Sequence, residues 1–105
     1  MSKEIRKGYY DNGRLEWEGE YVNGKEHGVT RWYYDDGQLE LECEYQNGKF
    51  HGVLKEYYEN GQLKWECEYQ NDKRHGVCKW YHNNGKLWSE YKYQNNELIK
   101  EKHYE

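Results

Sequence analysis

The chain repeats itself every 24 residues, and that period constrains its fold more than any other feature. Tyr9, Tyr33, Tyr57 and Tyr81 fall at this spacing, as do Gly13, Gly37, Gly61 and Gly85, and Tyr21, Tyr45, Tyr69 and Tyr93. His27-Gly28, His51-Gly52 and His75-Gly76 keep the same period. Each unit holds two turn signals, one after the paired tyrosines (Asp36-Gly37, Asn60-Gly61) and one ahead of the histidine (Asn23-Gly24, Asn47-Gly48). A type I′ turn needs positive φ at both central residues, which Asn-Gly and Asp-Gly supply most readily. Between the turns lie alternating segments such as Leu39-Glu40-Leu41-Glu42-Cys43-Glu44-Tyr45, the pattern of a strand with one wet face. The expectation is an all-β fold, a single-layer antiparallel meander of stacked hairpins with about nine strands. It occupies residues 1–105 as one elongated, twisted or curved domain, with 1–8 and 97–105 as charge-rich capping strands.

Two-residue loops at the tyrosine turns predict a register. Around Asp36-Gly37, Tyr34 faces Leu39, Trp32 faces Leu41, Thr30 faces Cys43 and Gly28 faces Tyr45. The later turns give Tyr58/Leu63 and His82/Leu87 in the same way. A tyrosine then lies across from each repeat glycine, where its ring can fill the space of the missing side chain. On the other face, Lys7/Glu18, Arg31/Glu42, Lys55/Glu66 and Lys79/Glu90 oppose one another, and such pairs help to fix register. Across the second kind of turn, the same rule pairs Glu20 with His27, Glu44 with His51 and Glu68 with His75.

Composition separates this chain from disordered ones. Only 34% of residues are hydrophobic, but 18% are aromatic and none is proline. Disordered segments have few aromatics and much proline, so an ordered sheet with a thin, ring-rich core is expected. A net charge of -4 with interleaved cations argues against nucleic acid and anionic membranes as partners, since both need clustered Lys and Arg. No apolar run suggests a signal peptide or a membrane span, and three cysteines without disulfide-rich spacing suggest reduced thiols in the cytoplasm. Cys43 and Cys67 fall two strands apart, beyond bridging distance, while Cys67 and Cys78 sit diagonally on adjacent strands. Equivalent histidines fall about 9.6 Å apart, too far to share a zinc ion. No metal, no cofactor and no catalytic set is expected, and the chain does not read as an enzyme.

The stretches Gly19-Glu20-Tyr21-Val22-Asn23-Gly24-Lys25-Glu26-His27-Gly28-Val29 and Glu42-Cys43-Glu44-Tyr45-Gln46-Asn47-Gly48-Lys49-Phe50-His51-Gly52-Val53 each lead into Tyr-Tyr-x-x-Gly-x-Leu. This unit resembles the MORN repeat, and more closely the MORN variant of bacterial toxin–antitoxin antitoxins. The resemblance implies stacked hairpins in one curved sheet. It also implies work as an antitoxin or immunity protein that neutralises another protein, a toxin or effector, by binding it.

The ring face must either cover itself, where strong twist turns its rings into a core, or be covered by another copy or a partner. Nine strands of eight residues give a face on the order of 1,100 Å², against about 300–600 Å² for a monomer's largest apolar patch. Trp and Tyr are preferred interface anchors. The candidate partner-binding residues are therefore Trp17, Trp32, Tyr34, Trp65, Tyr69, Trp80 and Tyr91. Glu42, Glu44, Glu66 and Glu68 join them as residues that would steer a basic target. The competing expectation is a homodimer with two ring faces closed on each other. Membrane association, a role proposed for MORN repeats, fits the charge less well.

Overall fold

A computed structural model describes residues 3–104, so residues 1, 2 and 105 of the capping segments lie outside the described residues. The strands are β1 (Lys3–Tyr9), β2 (Leu15–Val22), β3 (Lys25–Tyr33), β4 (Leu39–Gln46) and β5 (Lys49–Phe50). They continue with β6 (Gly52–Tyr57), β7 (Leu63–Gln70), β8 (Lys73–Tyr81), β9 (Leu87–Gln94) and β10 (Glu97–His103). They form one open antiparallel sheet in chain order, as the repeat predicts. The short β5 pairs only with β4, and β5 and β6 are two pieces of one strand divided at His51. The molecule measures 42 × 32 × 15 Å along its principal axes and is flattened along one of them.

The two kinds of turn are built differently. Asn23-Gly24 and Asn47-Gly48 have positive φ at both residues, as a type I′ turn requires, and Asn71-Asp72 and Asn95-Asn96 do the same without glycine. At the tyrosine turns only the glycine has positive φ, so the two-residue loop expected there is not what forms. Tyr34 N–H bonds Gln38 O at 2.8 Å and Gly37 N–H bonds Tyr34 O at 3.0 Å. This is a three-residue loop, a type I turn followed by a left-handed glycine. Leu39, Leu63 and Leu87 accordingly face Tyr33, Tyr57 and Tyr81 rather than Tyr34, Tyr58 and His82. A one-residue bulge then cancels the longer loop, and Trp32/Leu41, Thr30/Cys43, Arg31/Glu42 and Gly28/Tyr45 pair as expected.

A larger departure occurs at each His-Gly step. Near the type I′ turn Tyr21 pairs with Glu26, but further along Gly19 pairs with Thr30, so β3 carries two extra residues opposite Glu20. The same slip appears between Tyr69/Arg74 and Cys67/Cys78. The expected side-chain pairs Glu20/His27, Glu44/His51 and Glu68/His75 are therefore not made as simple cross-strand partners. Only the backbone contact survives at the second step, where His51 N–H bonds Glu44 O at 3.0 Å.

The glycines permit this slip. Gly28, Gly52 and Gly76 have φ of 115°, 112° and 111°, a region where a Cβ is strained. They do pair with Tyr45, Tyr69 and Tyr93, but a glutamate, not a ring, occupies the missing side chain's space. A Cβ on Gly52 would sit 3.1 Å from Glu44 Cδ, and one on Gly76 would sit 3.0 Å from Glu68 Cδ. Ring-over-glycine packing is found instead at Gly8, whose missing Cβ space is filled by the Trp17 indole.

With the slip in place, one row of charge crosses the sheet. Lys7, Glu18, Arg31, Glu42, Lys55, Glu66, Lys79, Glu90 and Lys102 are successive cross-strand partners, alternating in sign throughout. Opposite charges directly across strands contribute about 0.2–1 kcal/mol per pair. Tyrosine hydroxyls complete the row by donating to Glu18 (from Tyr33, 2.8 Å), Glu66 (from Tyr81, 3.4 Å) and Glu90 (from Tyr104, 2.9 Å).

Successive repeats are also tied along both edges. Tyr10, Tyr34 and Tyr58 each donate a phenolic hydrogen to the carbonyl of Tyr33, Tyr57 and Tyr81 in the next unit. On the opposite edge, Gly48, Asp72 and Asn96 donate backbone N–H bonds to the carbonyls of Glu26, Phe50 and Arg74, at 2.9, 3.0 and 2.9 Å.

Gly52→Ala tests the slip. The substitution forces a side chain into positive φ and against Glu44, so it should destabilise the fold by about 1–2 kcal/mol in urea unfolding.

Candidate functional site

The face opposite the charge row is organised around a line of small residues. Gly19, Thr30, Cys43, Leu54, Cys67 and Cys78 are all buried, although no second layer covers them among the described residues. Two positions away on the same strands, Trp17, Trp32, Leu41, Glu56, Trp65 and Trp80 flank this line on one side, and Tyr21, Tyr45 and Tyr69 alternate with Gly28, Gly52 and Gly76 on the other.

The slip makes Cys67 and Cys78 direct partners, with Cα atoms 4.0 Å apart and a disulfide between them. This corrects both the diagonal placement and the expectation of three reduced thiols, because a two-residue slip turns a diagonal into a pair. Cys43 remains free and buried, and burial pushes its thiol up to about 11. Burial likewise raises the phenol of neighbouring Tyr45, with the charges of Cys43 and Glu26 adding to the effect.

The slip also pairs Trp17 with Trp32 and Trp65 with Trp80. Their ring centres are 5.8 and 5.3 Å apart. Between the two pairs stand Leu41 and Glu56, and Glu56 accepts the Trp65 indole N–H at 2.9 Å. Four of the candidate anchors thus form two indole pairs on one row, with Trp32 the more open at 36% exposure. Tyr91 lies beside Cys78 and packs against Tyr93 and His103. Tyr69 belongs to a second ring cluster with Phe50 and Tyr45. Tyr34 stands apart from these rings, at the turn, engaged in the inter-repeat bond to Tyr57.

The glutamates lie on the other face. Glu42 is ion-paired with Arg31 at 2.8 Å, and that bond is the main cause of the guanidinium's raised pKa. Glu66 lies between Lys55 and Lys79 and receives the Tyr81 hydroxyl. Glu44 and Glu68 sit over Gly52 and Gly76, opposite Val53 in the case of Glu68 and Val29 in that of Glu44. Among the described residues, no three His, Cys, Asp or Glu side chains are grouped to hold a metal ion.

Two aromatic residues of this surface escaped the sequence reasoning. Phe50 occupies the position held by Glu26 and Arg74 in the neighbouring units, and it bridges Tyr45 and Tyr69. Trp88 is 48% exposed, stacks on His82 and occupies the bulge position held by Glu16, Glu40 and Lys64 elsewhere. Departure from the repeat was the available signal in both cases.

Thiol chemistry checks this arrangement. Denatured without reductant, the chain should show one reactive thiol, Cys43, and three after reduction. In the folded protein Cys43 should alkylate slowly at pH 8 and faster as the pH approaches about 11. Because its folded pKa lies above the ordinary value of 9.0, its contribution to stability is complete below about pH 9 and is lost as pH rises through about 11.

A family model described as "MORN repeat variant" matches residues 26–47, 50–71 and 74–95, well over half of the chain. Each matched span covers a whole hairpin between one type I′ turn and the next. No curated protein matches the chain. Repeats of this family are non-catalytic modules that generally bind proteins or membranes. The 24-residue period, the paired turns and the matched spans agree, and the chain belongs to the MORN repeat variant family.

Proposed function

We propose that this protein is a non-enzymatic binding module whose ring face takes another protein, acting as an antitoxin- or immunity-like inhibitor that occludes its target. The observation that carries this reading is the open ring face itself. One sheet carries two indole pairs and a Tyr-Phe-Tyr cluster, with no second layer over them among the described residues. Paired rings held rigidly by a sheet lose little freedom on binding, which suits them as anchors. Trp17, Trp32, Trp65, Trp80, Tyr69 and Tyr91 are the proposed contacts. The acidic residues have less support as contacts, because Glu42 and Glu66 are already engaged by Arg31 and Tyr81.

The test is capture from the native cell with the wild-type protein and with Trp32→Ala and Trp65→Ala. Both variants should fold, since neither indole is fully buried, and both should lose a specific protein that the wild type retains. Retention of that protein by folded variants contradicts the ring-face reading. A wild-type dimer in light scattering that the variants dissociate would assign the face to a second copy of the chain.

A further inference from the structure

The last two strands carry a charge pattern that the repeat does not explain. Position 92 is a lysine where the three earlier units have Glu20, Glu44 and Glu68. Lys92 lies directly opposite Lys100 of β10, and Lys102 lies opposite Glu90. Like charges facing each other across strands are destabilising. Glu90 is occupied by the Tyr104 hydroxyl, and the Lys102 ammonium lies 5.1 Å from the Tyr104 ring centre. Among the described residues, none of the three lysines forms an ion pair. They border a depression of about 310 Å³ together with Val77, Tyr91, Tyr104 and two carboxylates, Glu90 and Glu101.

Lysines on an outer strand protect it from unwanted pairing, and Lys3 and Lys7 do this for β1. Edge protection does not account for Lys92, which sits on β9, an interior strand. β10 ends the sheet order, so its outer backbone is unpaired among the described residues.

We propose that the β10 edge is a strand-addition site for an extended acidic segment of a partner protein. The segment carries two carboxylates two residues apart, one opposite Lys100 and one opposite Lys102. The residue between them faces Glu101, on the other side of the strand, and is basic. Main-chain bonds along the edge supply affinity, and alternate side chains supply specificity. The added carboxylates extend the alternating row by one strand and neutralise the Lys92/Lys100 repulsion. A second copy of this chain does not fit, because its own free edges present Lys100 and Lys102, or Lys3 and Lys7, on the charge-row face. The proposal does not depend on the ring face, which lies on the opposite side of the sheet.

The test uses a labelled peptide of alternating threonine and valine with Glu-Lys-Glu at its centre, and a control with Lys-Glu-Lys. The full-length protein should bind the first peptide saturably at low salt, with amide shifts confined to β9 and β10. Lys100→Glu/Lys102→Glu should weaken that binding by about tenfold or more and gain binding to the control peptide. Lys92→Glu, which restores the repeat's own residue, should weaken it with β10 intact. Absence of binding, equal binding of both peptides, or shifts outside β9 and β10 would overturn the proposal and leave Lys100 and Lys102 as edge protection only.

Discussion

At each His-Gly step the strand carries two residues more than its partner, and a glycine near φ 111–115° absorbs them beneath a glutamate from the preceding strand. Everything on both faces of the sheet is aligned by this local packing. Without the slip, the charged residues of neighbouring hairpins would lie two positions out of line. With it, nine of them form one alternating row. The same shift stacks Trp65 on Trp80 and brings Cys67 against Cys78.

The slip also shows how a chain with 34% hydrophobic residues holds one layer together. Its buried residues, Leu54 apart, are small, and Gly19, Cys43 and Cys67 lie beside the rings of Tyr21, Tyr45 and Tyr69 on their own strands. Its repeats are joined along one edge by tyrosine hydroxyl bonds and along the other by backbone bonds, and both recur with the sequence. The tyrosine ladder ends where His82 replaces the next tyrosine and stacks on Trp88 instead. The last unit therefore departs from the pattern at several points at once, through His82, Trp88 and Lys92. Those departures gather at the C-terminal end of the sheet, where both an exposed indole and an unneutralised lysine cluster are found.

Much of this fold was legible in the sequence. The period, the strands, the type I′ turns and the pairing Arg31/Glu42 follow from spacing and turn chemistry. The loop at Asp36-Gly37 was one residue longer than expected, yet the pairing beyond it held because the bulge at Glu40 removes the extra residue. The slip was not legible, because Gly28 looks like any strand glycine until the Glu20 side chain is seen in its place. For the same reason the Cys67–Cys78 pair and the two tryptophan pairs could not be read from one-to-one counting. Of the candidate site, strand alternation and turn register already placed the four row tryptophans on one face. Phe50 and Trp88 were missed because they sit where other units carry charge.

Cross-strand nuclear Overhauser effects between β7 and β8 test the slip most directly. Backbone contacts joining Trp65 to Trp80 and Cys67 to Cys78 are expected from the slip. Contacts joining Trp65 to Cys78 and Cys67 to Gly76, the pairing of a regular hairpin closed at Asn71-Asp72, would contradict it.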